Sequence, residues 1–357
     1  MRVRVPLVSA HRSAVASEEF RDSILVCATA RDGVQGLAEC PTLQQAGYVT
    51  ETTDAAWAAL TGGLAASAVA GSTPAVQVAP AASAALADAL LDCDLRRRGI
   101  SLAGHLAETV GCPALPSVQW TAVLASAGEG SDSPRIAAEQ AVTDGAAMLK
   151  AKVDGPEHLE ETVSTLKQVG AAGVAVDANG SLRGGDLALV DDLGLAYLEQ
   201  PLPAGTPWPE LAAAEAACRT PLALDESLVS LDSLADAIRA KALSVASIKP
   251  ARIGGALAAA RAAALCRRAG LDCFVGGMFE LAPGRATALA VAGLSCCTLP
   301  TDLGPSHRYF THDVAEALRT DTSGAMRVPD GPGCGQTLLG ERVDRYLVDR
   351  VVIGRAG

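Results

Sequence analysis

"MLKAKV" at 148–153 opens a series of apolar runs that end in charge; "VAVDAN" at 174–179, "AYLEQP" at 196–201, "LALDES" at 222–227 and "SIKP" at 247–250 complete it. The charged endings are Lys150 and Lys152, then Asp177, Glu199, Asp225 and Lys249. Each run has the length and character of a buried strand, and a buried strand gains nothing by ending in a charge. Five such endings in succession predict one pole of a barrel where carboxylates and lysines converge.

Outward from this stretch the chain keeps a regular grammar. Strands are predicted at 117–123, 147–153, 173–177, 195–199, 221–225, 244–249, 271–276 and 295–300. Helices fall between them: after Ser133-Pro134, and at 157–171, 183–193, 208–218, 230–241, 254–269 and about 284–293. Eight parallel strands joined by seven helices favour α/β architecture closed as a modified TIM barrel, (β/α)7β, over an open doubly wound sheet. No Gly-x-Gly-x-x-Gly follows the first strand, which weighs against a dinucleotide site. The pairs Gly254-Gly255 and Gly276-Gly277 read as tight turns.

The flanks differ. Strands at 2–8, 22–30 and within "GVQGLAEC" (33–40), followed by helices at 53–70 and 80–98, describe a small α+β unit. Ser9–Arg21 and the segment carrying Tyr48 are expected as loops. After Asp302 the chain is irregular, with a short helix near 313–319 and a strand-like "YLVDRVVIG" that returns to the N-terminal unit. The expected division is an α+β unit at 1–112, the barrel at 113–312 and a segment completing that unit at 313–357.

Composition narrows the function classes. Apolar residues make up 49% but aromatics only 3%, so Ala and Val must fill much of a large core. The net charge of −11, with no Lys/Arg cluster of the kind that tracks a phosphate backbone, argues against a nucleic-acid partner. Residues 55–87 are uncharged, yet too rich in Ala and too broken by Gly and Pro to insert in a bilayer. The N-terminus lacks the apolar run of a signal peptide. Ten cysteines without a Cys-x-x-Cys pair read as reduced thiols of a cytoplasmic protein, and Cys296-Cys297 as a strand pair pointing to opposite faces. Oligomeric state is left open, a homo-oligomer included.

The chemistry follows from the charged endings. Asp177, Glu199 and Asp225 from adjacent strands would repel one another without a cation, and hard oxygen donors select Mg²⁺, with Mn²⁺ as a substitute. Lys152 and Lys249 flank them. Lys150, two residues from Lys152, shares its face and is expected to depress its pKa toward that of a general base. Asn179 joins the same face, whereas Glu226 is expected to point away from Asp225 and to support the site by a hydrogen bond toward Lys249 or its loop. A cation on a substrate carboxylate stabilises the enediolate formed when a lysine removes the α-proton. A non-catalytic barrel that binds a chelated carboxylate is the reading from another class.

At these residues the chain resembles the enolase superfamily, in its muconate lactonizing enzyme subgroup. There a Lys-x-Lys, an Asp-x-Asn, a Glu, an Asp-Glu and a Lys occupy successive strand ends in this order. "GGMFE" (Gly276–Glu280) and "TLPTD" (Thr298–Asp302) resemble the o-succinylbenzoate synthase branch, some members of which racemise N-succinylamino acids. The resemblance implies that Asp177, Glu199 and Asp225 bind Mg²⁺. It also implies that Lys152 takes the α-proton of a small cyclohexadiene carboxylate and returns it to the departing hydroxyl, while Lys249 holds the enediolate. The product would be o-succinylbenzoate, a menaquinone precursor. Racemisation and muconate-type cycloisomerisation are the alternatives. The resemblance makes the α+β unit a capping domain at 1–112 completed by 313–357, whose segments Ser9–Arg21 and Cys40–Thr50, with Tyr48, would close over substrate, and Gly276, Gly277 and Met278 would line the pocket. Two stretches depart from what these relatives often show: Gly180-Ser181-Leu182, where an aromatic is common, and Leu281-Ala282-Pro283, where Thr-Gly is common. The eighth strand lacks the Asp-x-Asp of dipeptide epimerases, and the seventh lacks the His-x-Asp of a mandelate racemase mechanism. His307 and His312 read as surface residues.

Overall fold

The computed structural model describes residues 1–13, 16–44, 51–71, 80–124 and 134–354. Thirteen strands appear among them. β1 (Arg2–Ser13), β2 (Ala16–Thr29), β3 (Gln35–Cys40) and β13 (Leu347–Asp349) form an antiparallel sheet in the order β13-β1-β2-β3. The tail therefore returns to the N-terminal strands, as expected. β4 (Ser117–Val118) pairs with β12 (Met326–Arg327), antiparallel. β5 (Thr121–Leu124), β6 (Met148–Lys152), β7 (Gly173–Asp177), β8 (Leu198–Glu199), β9 (Leu222–Leu224), β10 (Val245–Ile248) and β11 (Asp272–Val275) form one parallel sheet in sequence order.

That sheet curls through seven strands, and the predicted eighth, 295–300, is not a strand. Cys296 and Cys297 lie in the turn that follows the helix Ala282–Ala292, rather than on opposite faces of a strand. The eighth place is taken by an extended segment displaced to 298–302. The amides of Thr298 and Asp302 donate to Cys273 and Val275 on β11, and the Thr301 amide donates to Gln119 beside β5. Pro300 has no amide to donate, so a regular ladder cannot run through it. The ring is still joined on both edges.

Period-2 alternation sorts the strand residues. Met148, Ala175, Tyr197, Ala223, Val245 and Phe274 form an apolar cluster inside the curl. Their neighbours at odd spacing join the larger core between the sheet and its helices, among them Leu149, Val176, Leu198, Leu222 and Ile248. Stepping two residues toward the C-terminal ends from the inner cluster reaches Lys150, Asp177, Glu199, Asp225, Ser247 and Gly276. The charged endings therefore share one interior pole because they share parity with an apolar floor. Tyr197 and Phe274 stack beneath them, centroids 5.2 Å apart.

Other departures have local causes. β1 and β2 run through most of the segment expected as the loop Ser9–Arg21, pairing as far as Ser13 and Ala16. The 313–319 stretch is not helical; a short 3-10 turn at Ser306–Arg308 and a helix at Gly340–Tyr346 occupy the tail instead. A helix at Leu102–Val110 was not predicted, although Ser101 accepts from the Gly104 amide at its start and Gly111 ends it at φ 67°. Both signals were legible in the sequence. Among the described residues no helix is long and apolar enough to cross a membrane.

Candidate active site

Three ion-pair clusters fill the interior pole. The first is on β6, where Lys150 is 1% exposed and donates to Glu199 Oε2 at 2.5 Å and to Asp302 Oδ2 at 2.7 Å. Its ammonium also lies 4.8 Å from the Phe274 ring centroid. Burial works against its charge, but Asp302 and Glu199 outweigh that cost, so the Lys150 pKa rises well above the usual value. Asp302, on the segment that replaces the eighth strand, was not singled out from sequence. Its position within "TLPTD" was the available signal.

The second cluster joins β6, β7 and the turn after β9. Lys152 Nζ donates to Asn179 Oδ1 at 3.1 Å and lies 3.5 Å from Asp177 Oδ2. Asn179, at φ 42°, passes the chain on by donating to Glu226 Oε1 at 2.9 Å. Glu226 therefore turns back into the site instead of away from it, because β9 ends at Leu224 and strand alternation stops there. The Lys152 pKa is raised, not depressed. Burial pulls it down, and so does Lys150, but Asp177, Glu226 and Glu199 outweigh them.

The third cluster lies at the end of β10. Lys249 Nζ donates to Asp225 Oδ2 at 2.8 Å, and Arg252, one turn further on, pairs with Asp225 Oδ1. Between the second and third clusters, Gln200 stitches the strand ends together. At φ 38°, its Oε1 accepts from the Asp225 amide at 3.0 Å and its Nε2 donates to the Leu202 carbonyl and the Ser227 hydroxyl. Arg252 and Gln200 were also missed from sequence; each follows a strand-ending charge closely, which is the one signal they offered.

The pole is rich in negative charge. Burial pushes Glu199 up to about 8, opposed by Lys150 and aided by Asp177, Asp225 and Asp302. Burial and the same two aspartates, Asp225 and Asp177, push Glu226 up to about 7. Glu226 Oε2 and Asp302 Oδ1 are buried without a hydrogen-bond partner. An all-oxygen donor set with mutually repelling carboxylates fits a hard divalent cation. Asp177, Glu199 and Asp225 are the residues that could hold one. As they stand, each carboxylate is drawn to its own lysine, and among the described residues no three acidic, histidine or cysteine side chains are gathered to grip an ion.

The remaining predicted residues fall on the segment after β11. Gly276 lies directly under Lys249: a Cβ there would come within 2.6 Å of Lys249 Cε and 2.9 Å of Ser247 Oγ. Gly277 faces Leu303 and Glu280, and Met278 is buried, its amide donating to Glu280 Oε2 at 3.0 Å. Tyr48 lies outside the described residues.

Comparison with known proteins places the chain in a family and a fold. Residues 134–343 match the family described as enolase C-terminal domain-like. An N-succinylamino acid racemase of Amycolatopsis is 32% identical over 99% of this chain and 97% of its own. An o-succinylbenzoate synthase of Geobacillus stearothermophilus is 35% identical over 45% of this chain and 42% of its own. A solved structure described as a probable mandelate racemase, from Alicyclobacillus acidocaldarius, superposes with a TM-score of 0.85 at 31% identity, covering 98% of this chain and 96% of the other. The chain belongs to the enolase superfamily and is an enzyme of the lyase or isomerase type.

Proposed function

We propose that this enzyme removes the α-proton of a small carboxylate in a divalent-cation-dependent reaction, and that it is an o-succinylbenzoate synthase. The observation that carries the reading is the order of groups across the sheet: Lys152 on β6, three carboxylates at the ends of β7, β8 and β9, and Lys249 at the end of β10. Mg²⁺, or Mn²⁺ in its place, held by Asp177, Glu199 and Asp225, would polarise the substrate carboxylate and offset the negative charge that now raises the Lys152 pKa.

The two lysines of β6 have different tasks. The Lys152 side chain is 21% exposed and that of Lys150 is 1%. Lys152 is thus the one able to meet substrate, with Asn179 aiming its amine. As a free amine it takes the α-proton, and as ammonium on the same face it protonates the departing hydroxyl; water leaves and the ring becomes aromatic. Lys249 holds the enediolate by charge.

Racemisation of N-succinylamino acids is the second reading, favoured by the near full-length likeness to the Amycolatopsis racemase. It uses the same lysines as acid and base on opposite faces. Proton NMR in D₂O with Mg²⁺ separates the two. Formation of o-succinylbenzoate from the cyclohexadiene substrate supports the synthase, whereas α-deuteration of N-succinyl-phenylglycine alone supports the racemase. Exchange with neither would sink both substrates.

A Gly276→Ala variant tests the seat of Lys249. Its new methyl must displace the lysine stem or Ser247, and a displacement of about 1 Å is expected to lower kcat about 100-fold. Far-ultraviolet circular dichroism should be unchanged. Normal turnover would mean that Lys249 needs no fixed position.

A further inference from the structure

The helix Ala282–Ala292 begins just after the Gly276–Glu280 segment and has no side-chain cap of its own, its N-cap position being Leu281. Its first-turn donors are nevertheless all accounted for. The Leu281 amide donates to Glu39 Oε1 at 3.1 Å, the Ala282 amide to Asp313 Oδ2 at 2.9 Å and the Gly284 amide to Glu39 Oε2 at 3.1 Å. Pro283 has no amide, and Arg285 begins the intrahelical series by donating to Leu281. Glu39 sits on β3 of the antiparallel sheet, is buried, and accepts a further bond from Ser23 Oγ at 2.6 Å. A Cβ at residue 284 would meet Glu39 Oε2 at 2.5 Å, so the carboxylate occupies space that only glycine leaves.

A second strand reaches the same segment. Arg21, on β2 and 1% exposed, donates from Nε to the Phe279 carbonyl at 3.0 Å. Phe279 has φ 56°, a left-handed conformation that costs a non-glycine residue about 1 kcal/mol and persists where its surroundings hold it. From the other side Arg285 donates to the Glu280 carbonyl at 3.1 Å. Three residues before Phe279 is Gly276, on which the Lys249 stem rests.

We propose that Glu39 and Arg21 are positioning residues: the antiparallel sheet clamps residues 279–284, and through them sets the seat of Lys249. The clamp takes the place of the missing helix cap at Leu281-Ala282-Pro283. Burial raises the Glu39 pKa to about 8 against the pull of Arg21 and Ser23, in keeping with a group enclosed between the two layers. This role rests on the proposed function, in which Lys249 faces the substrate opposite Lys152.

Glu39→Ala and Arg21→Met test it, with Glu39→Gln as the milder variant that keeps one acceptor oxygen. Two readouts are needed. The first is amide hydrogen exchange, which should speed up in the 276–284 peptide while β2 and β3 stay protected. The second is α-proton exchange in D₂O from each enantiomer of N-succinyl-phenylglycine, the one facing Lys249 being identified by its loss in Lys249→Ala. Exchange on the Lys249 face should fall about tenfold relative to the Lys152 face, and Glu39→Gln should restore part of it. Equal losses on both faces, or an unchanged 276–284 peptide, overturn the proposal. A wild-type enzyme that forms no o-succinylbenzoate and exchanges neither enantiomer would instead overturn the proposed function, and the amide exchange would still decide whether the clamp exists.

Discussion

Replacing Lys152 by alanine is expected to lower turnover about 1,000- to 10,000-fold while leaving the fold and substrate binding in place. General acid–base catalysis by one positioned group contributes about 100- to 10,000-fold, and the synthase reading gives Lys152 both proton transfers. The substitution leaves Asp177 with its bond from the Asn179 amide, so the carboxylates stay ordered. Lys150, although two residues away, cannot substitute, because Glu199 and Asp302 hold it 1% exposed. The measurement is single-turnover kinetics beside equilibrium binding of the product. A variant that retains turnover within tenfold would remove Lys152 from the mechanism. Loss of binding together with turnover would point to a collapsed site, and a Lys152→Arg variant would then separate charge from proton transfer.

The largest expected stability effect belongs to Lys150→Met. The variant removes one buried cation from between two buried carboxylates. Removing one partner of a buried pair costs about 3–5 kcal/mol, because the remaining charge has lost its compensation. The deficit should depend on pH with a defined sign. Burial already raises Glu199 to about 8 and raises Asp302 above its ordinary value, and Lys150 opposes both shifts. Without the lysine both values rise further. A carboxyl raised in the folded state contributes its stability below the unfolded pKa and loses it as pH rises through the folded value. The wild type stops losing stability once folded Glu199 ionises against Lys150 at about pH 8, whereas the variant goes on losing it, so the gap between them should widen above about pH 8. Urea unfolding below and above that pH checks this; a gap that narrows with rising pH would contradict the buried-pair account.

How much of this was legible depends on the distance over which each feature is decided. Parity within a strand is local, so the facing of Lys150, Lys152, Asp177 and Glu199 could be read from alternate positions in short apolar runs. Strand order followed from β/α alternation, since crossover helices return each strand beside the last. The turn after β9 breaks the parity argument, and for that reason the direction of Glu226, which accepts from Asn179, is not legible from alternation. The direction of the Lys152 pKa is illegible for a related reason: one like-charged neighbour is visible in sequence, but the carboxylates that outweigh it arrive from two other strands and the turn after β9.

Sequence alone determined the parallel sheet and the five charged strand ends, because each rests on periodicity or on residues close together in the chain, and the motifs at those ends carried the resemblance to the superfamily. Tertiary structure alone decided which cation pairs with which carboxylate, brought Asp302 to Lys150 across 152 positions, and set Glu39 on a helix start 242 positions away. Such contacts depend on how the curl closes and how the antiparallel sheet is laid against it. Strand alternation fixes the face on which a side chain emerges, but its partner is whatever another part of the chain delivers there, and the cost of leaving a buried charge or amide unpaired makes that pairing specific.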